Sequence, residues 1–343
     1  MHITRHKVIG ALGRFTSEKG FDDLIQALSI LKNKGVNYHA VIGGSGGGQK
    51  NLKSLSSECG LEDNITFPGW IDDKNNFFSK IDIFCLPSRS ESFGIVLLEA
   101  MRCRVPVVST DCDGPREIID PDVSGIITPI NDPQSLASAL EYIICHGGVA
   151  RGLASNAYNA LVNTYSKKVV SGLLNDVLAE ISPKDSSLRI LNITHSRKWG
   201  GLEQAFVDYE SCLVEKGHRV LSLVSDNSQI ASYLDEIGSE YIETRHVYKK
   251  YGSFSLISLY FFRKLLGEFK PDVILLHNAR CLNVLKKVAH ESCPLVVVSH
   301  GANERKNCGA DYVIAVNQLI KERNFASCHD IKSVFVVPNM IDL

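Results

Sequence analysis

Short β-rich runs alternate with stretches of helical period along the whole of this chain. In the first half KVIGALG, YHAVIGG, NITFPGW, IDIFCLP and VPVVST are separated by FDDLIQALSILKNKG, QKNLKSLSSECG and IVLLEAM. Short strands spaced by helices mark βαβ units, and such units build a parallel sheet covered on both faces. The second half repeats the rhythm independently, with LRILNITH, HRVLSLVS, PDVILLHN, PLVVVSHG and ADYVIAVN as strands and GGLEQAFVDYESCLVEKG as a helix. At 343 residues the chain is long enough for two such sheets. The predicted fold class is α/β: two Rossmann-like domains facing each other across a cleft, with ligand sites at the carboxyl ends of the strands.

Between the halves, LVNTYSKKVVSGLLNDVLAEI carries apolar residues at Val169, Val170, Leu173, Leu174, Val177, Leu178 and Ile181, a helical spacing. SPKDSS follows, polar and proline-containing. This places the boundary at Ser182 to Ser187 and the domains at 1–182 and 183–343. A composition of 44% hydrophobic and 22% charged residues excludes a disordered chain, and a net charge of -1 lacks the basic footprint of nucleic-acid binding. The ten cysteines form no Cys-x-x-Cys pair, so zinc and disulfide frameworks are poor explanations. Cys85 and Cys145, each in or closing an apolar run, are expected to be small buried hydrophobes in a reducing compartment. MHITRHKVIGALG lacks a signal-peptide core, and no run is long enough to span a bilayer, so a cytoplasmic location is expected.

The chemistry concentrates in PSRSESFGIVLLEAM. A helix expected to begin near Phe93 separates Glu91 from Glu99 by about 12 Å along its axis. Carboxylates that far apart suit the two sugars of a nucleoside diphosphate sugar. The free amides of Phe93, Gly94 and Ile95 suit its diphosphate. Alone, the two glutamates are better explained as a frayed cap and a surface charge. GRFTSEKG adds Arg14 and Lys19 in the loop after the first strand, two cations able to neutralise a departing diphosphate. Their alternative is a solvated loop.

GRFTSEKG, VIGGSG, FPGW, PSRSESFGIVLLEAM and VPVVSTDCDGPREII, in that order and spacing, resemble the nucleotide-sugar-binding domain of the retaining glycosyltransferases of family 4, which have the GT-B fold. The resemblance covers nearly all of residues 7–181. It implies that Arg14 and Lys19, with Gly13 beside them, hold the donor diphosphate. It assigns Glu99 to the ribose, and Glu91 with the amides of Phe93 to Ile95 to the transferred sugar. Gly43, Gly44, Gly46 and the backbone near Trp70 would line the phosphate and base pocket. THSRKWGGLEQAF, KGHRV, PDVILLHNAR, PLVVVSHG, ADYVIAVN and VFVVPNMID resemble the family's other domain. By that resemblance Gly200 and Gly201 lie beside the leaving diphosphate and His300 faces the donor sugar. Without the family, His300 is a strand-end histidine that is more often structural.

The order departs from the family, in which the Gly-Gly domain comes first; this chain resembles a circular permutant, in which LVNTYSKKVVSGLLNDVLAEI resembles the family's last donor-domain helix, the one that crosses back towards the other domain, and SPKDSS would rejoin the old termini. A fragment of tandem transferases, an engineered permutant and halves that pair with a second copy in trans are the alternatives. Arg104 stands where the family has glycine after the helix, and Met340 replaces glycine in VPNxID. Two DxD matches, Asp111-Cys112-Asp113 and Asp120-Pro121-Asp122, show how unspecific that metal signature is, and no metal ligand is assigned. The glycines of VIGGSGGGQ do not fit a dinucleotide fingerprint. SFSLISLYFFRKLLGEFK has the apolar and basic character of an interfacial helix, although the strand after it favours a sheet-covering one.

The resulting expectation is a metal-independent enzyme that moves a hexose, with retention, from a UDP- or GDP-type donor to a hydroxyl acceptor and uses no other cofactor. The acceptor expected is a cell-envelope glycan or glycolipid at the inner face of a membrane. A nucleotide-sugar-binding protein without transfer activity and a GT-B epimerase or phosphorylase are the alternatives.

Overall fold

The computed structural model describes residues 6–184, 187–197, 199–247, 256–290, 293–301 and 304–343. They form two compact units, divided between Tyr165 and Ser166. The first runs β1 (Lys7–Leu12), α1 (Phe21–Asn33), β2 (Tyr38–Gly43), α2 (Gln49–Glu58), β3 (Ile65–Gly69), α3 (Lys74–Phe78), β4 (Ile83–Leu86), α4 (Ile95–Arg102), β5 (Val107–Thr110), α5 (Asp113–Ile118), β6 (Ile126–Thr128), α6 (Pro133–Cys145) and α7 (Gly147–Thr164). Its sheet is parallel, in the order β3-β2-β1-β4-β5-β6. Strand β4 is buried at every position, because helices cover both faces of a doubly wound sheet. The order reverses beside β1, so the loops after β1 and β4 flank the switch point where such sheets bind ligands.

The second unit begins with α8 (Lys167–Ile181) and continues through β7 (Arg189–Ile193), α9 (Gly201–Glu215), β8 (Arg219–Ser225), α10 (Ile230–Glu236), β9 (Glu240–Thr244), α11 (Leu256–Phe269), β10 (Val273–Leu276), α12 (Leu282–Leu285), β11 (Leu295–Ser299), β12 (Tyr312–Ala315), α13 (Gln318–Ser327) and β13 (Ser333–Val336). Its parallel sheet has the order β13-β12-β11-β10-β7-β8-β9. The two Rossmann-like sheets expected from the alternating pattern are both present.

The division falls ahead of α8, the helix that the expected domains counted with the first half as its crossover helix. Helix α8 buries Val170, Leu174, Leu178 and Ile181 in one cluster with Leu188, Ile190, Tyr209, Leu213 and Val337 of the second unit. The polar SPKDSS segment therefore follows a helix of the second unit and leads into its first strand. Its described residues, 182–184 and 187, lie within one unit, which composition alone cannot tell from a linker.

Two cysteine expectations also change. Cys85 is buried as expected, but Cys145 is exposed at the end of α6. Cys308 and Cys328 are joined by a disulfide. Cys328 caps α13, and the fold brings it to a partner that sequence spacing does not announce. Disulfides persist mainly in oxidising compartments, so the cysteines no longer argue for a reducing one. Helix α11 turns Phe262, Leu265 and Phe269 inward, as a sheet-covering helix does, and leaves Leu256, Ile257 and Tyr260 exposed. None of the described helices is long and apolar enough to cross a membrane.

Candidate functional site

In the first unit the expected donor residues gather at the carboxyl ends of β1, β2 and β4. The loops after β1 and β2 are laced together by their backbones. The Gly13 N–H donates to the Gly43 carbonyl at 3.1 Å, Phe15 to Ser45 at 2.9 Å, and Gly48 back to Phe15 at 3.0 Å. Phe15 is buried beneath this lacing, while Arg14 beside it is exposed. Gly44 donates to Gly69 at 2.7 Å, joining the glycine loop to the end of β3, where Trp70 stands exposed.

Lys19 and Glu91 meet as an ion pair, both side chains largely covered. Their meeting depends on a residue that was not singled out in the sequence. Arg89 forks onto the Asp22 carboxylate at 2.9 and 2.7 Å, reaches Asp23 at 2.8 Å, and donates to the Ser17 carbonyl at 2.8 Å. Its own N–H donates to the Glu18 carbonyl at 2.8 Å. Bidentate arginine–carboxylate pairs fix geometry as well as charge, so the turn bearing Lys19 is clamped to the segment bearing Glu91.

Helix α4 begins at Ile95, later than the expected start near Phe93. Gly94 caps it in the left-handed region at φ 96°. Glu91 consequently lies in the loop ahead of the helix, and the single-axis estimate of its distance from Glu99 does not apply. The loop is held from behind: Gly114 donates to the Glu91 carbonyl at 2.8 Å and sits so close that an added Cβ would lie 2.2 Å from the Phe93 oxygen. Phe93 itself is buried, edge-on to Tyr165 at 5.9 Å. What the segment offers a ligand is therefore backbone.

On α4, Glu99 accepts a hydrogen bond at Oε1 from the Lys74 ammonium at 2.6 Å. Its Oε2 is buried and has no partner among the described residues. Leaving a buried acceptor unpaired costs about 1–3 kcal/mol, so this oxygen is suited to receive a donor from a ligand. The Asp111 of the first DxD match is instead engaged by Arg116 at 2.7 Å, which holds its carboxyl below the usual range.

The second unit has its own constellation. Gly200 caps α9 and Gly201 opens it, placing the helix N-terminus just beyond β7. His300 follows β11 directly, with its Nε2 buried and without a partner among the described residues. Two further histidines join it. His277 follows β10, is fully buried, and stacks on His300 with ring centroids 5.7 Å apart. His195 stands just past β7, the next strand in the sheet. Burial pushes His300 down to about 4 and His277 well below its ordinary value. Burial, aided by the nearby Arg280 charge, also pushes His195 to about 4, against a hydrogen bond with Asn278. All three are neutral near pH 7, when an imidazole can both donate and accept a hydrogen bond. Their common signal was their position at the ends of the runs LRILNITH, PDVILLHN and PLVVVSHG.

Residues 2–160 match the family model described as glycosyl transferases group 1, and residues 199–343 match the one described as glycosyltransferase family 4. The lipopolysaccharide core biosynthesis glycosyltransferase LpsE of Rhizobium meliloti is 31% identical over 172 residues, covering 50% of this chain and 49% of that protein. The alpha-D-kanosaminyltransferase of Streptomyces kanamyceticus is 30% identical over 172 residues, 50% of this chain and 45% of its own length. A crystal structure of Anabaena HepE in complex with UDP-glucose aligns at 29% identity over 45% of this chain and 43% of that one, with a TM-score of 0.43. The chain thus spans about half the length of the curated relatives it matches. With one model on each parallel-sheet unit, the group 1 domain ahead of the family 4 domain, the chain belongs to the group 1 and family 4 glycosyltransferases.

Proposed function

We propose that this protein transfers a hexose from a nucleoside diphosphate sugar, of UDP or GDP type, to a hydroxyl of a cell-envelope glycan or glycolipid, with retention at the anomeric carbon. The observation that carries the proposal is the grouping at the α4 N-terminus. The Lys19–Glu91 pair lies in the loops ahead of it, and on the helix itself a buried oxygen of Glu99 has no partner among the described residues. These are the groups a sugar, a diphosphate and a ribose need in sequence. The LpsE relative, named for lipopolysaccharide core synthesis, supports an envelope acceptor.

In this reading the bond from the anomeric carbon to the phosphate oxygen breaks and its electron pair leaves with the diphosphate. Arg14, Lys19 and the helix amides stabilise the charge that develops there. The acceptor oxygen bonds to the same face of the oxocarbenium-like centre and gives its proton to the departing phosphate oxygen. On the family 4 domain, neutral His300 has a buried Nε2, without a partner among the described residues, able to hydrogen-bond a hydroxyl. Because cationic side chains and amides take up the leaving charge, transfer is proposed to need no divalent ion. Exposed Leu256, Ile257 and Tyr260 beside Arg263 and Lys264 suit peripheral contact with a membrane carrying the acceptor.

Calorimetric titration with UDP, GDP and ADP, followed by transfer assays with the corresponding sugars in chelator, tests this proposal. Lys19→Ala and Glu99→Ala are each expected to weaken donor binding or lower turnover by about tenfold or more without loss of folding. Wild-type kinetics in both variants overturn the site. Donor binding without transfer selects a binding protein, and strict Mg²⁺ or Mn²⁺ dependence overturns metal-independent transfer.

A further inference from the structure

We propose that Lys74 is a positioning residue for nucleotide recognition: by holding Oε1 of Glu99 it presents Oε2 to the ribose hydroxyls. The inference rests on the donor-site reading above and adds a residue that the motifs did not assign.

The difference between the two oxygens of Glu99 carries it. Oε1 is 2.6 Å from the Lys74 ammonium, whereas Oε2 is buried with no partner among the described residues. The Glu99 side chain is 13% exposed and that of Lys74 43%, so the ammonium reaches the carboxylate from the solvent side. A charge-assisted bond to one oxygen limits rotation of the carboxylate and fixes the direction of the other. A ribose hydroxyl meeting this acceptor orders less of the protein on binding than one meeting a freely turning side chain.

The support beneath Lys74 is also built. Lys74 opens α3, whose start is capped by Asp73 accepting from the Asn76 N–H at 2.9 Å. The other end of this short helix is anchored by buried Phe77 and Phe78, with Phe78 edge-on to Phe84 at 5.4 Å. Next to Lys74, the Asn75 side-chain oxygen accepts from the Arg102 guanidinium. Helices α3 and α4 are therefore joined at two neighbouring positions, one of which ends at the carboxylate. Such a supporting contact sets the accuracy of a binding group without touching the ligand.

The test is a comparison of Lys74→Met and Lys74→Arg with wild type, measuring binding of UDP, GDP, their 2′,3′-dideoxy analogues and inorganic pyrophosphate by calorimetry, and donor KM and kcat by assay. Lys74→Met is expected to weaken the better-binding nucleotide by about tenfold and raise donor KM with kcat nearly unchanged. Its dideoxy analogue and pyrophosphate should bind the variant as they bind wild type, since neither offers hydroxyls to Glu99. Lys74→Arg should recover most of the loss. An equal loss with the dideoxy analogue or pyrophosphate, or no loss at all, overturns the proposal. Glu99→Gln separates the two levels. If it weakens nucleotide binding while Lys74→Met does not, only the positioning role falls; if it too is without effect, the donor-site reading falls with it.

Discussion

Arg104 occupies a position where a side chain is normally a burden. It follows the C-cap of α4 with φ 55°, in the left-handed region where glycine alone escapes the steric cost. Its guanidinium carbon lies 3.7 Å from the ring centroid of Tyr158, so a cation–π contact offsets the strain. Arg104→Ala keeps the strain and loses the contact, and is expected to lower unfolding stability by about 1 kcal/mol in urea denaturation. Arg104→Gly exchanges one for the other and should lie closer to wild type; an Arg104→Ala variant as stable as wild type would deny the stacking its role. The misfit was legible in MRCRVPVV, but its partner was not, because Tyr158 lies far along the chain in α7. Met340 repeats the lesson. It departs from the family pattern where it is buried against Cys212, with the sulfurs 3.2 Å apart.

Helix α4 shows what pattern can and cannot locate. The apolar run through SFGIVLLEAM continues without a break, so periodicity sets the helix start too early. The left-handed Gly94 is what ends the loop. Residue types and order singled out Lys19, Glu91 and Glu99 as candidates, and the structure pairs the first two. The Arg89 fork and the Lys74 clamp were not legible, since each joins residues that only the sheet topology brings together. The loop's rear support yields a test at this scale. Gly114→Ala would set a methyl against the Phe93 carbonyl, 2.2 Å away, and displace the segment carrying Glu91. Donor binding should weaken by about tenfold or more while cooperative unfolding persists. Unchanged affinity would show that the loop's position does not matter to the ligand.

For the molecule as a whole, the alternation of strand and helix was sufficient to foretell two parallel sheets, because a β-rich run buried on both faces has few other folds available. The partition between them was less visible. A helical spacing reveals that α8 has an apolar face, but not which sheet that face covers. Its seating has a practical consequence for anyone dissecting the protein. A piece starting at Ser166 retains the helix as a lid over Leu188, Tyr209 and Val337, and should be monodisperse and melt cooperatively. A piece starting at Pro183, where composition suggests cutting, loses that lid; dye binding and sedimentation should find it sticky and self-associating. If the shorter piece behaves as well as the longer one, α8 is dispensable to the second unit. On the geometry seen here, the place to divide this chain in two is inside a stretch that reads as continuous helix.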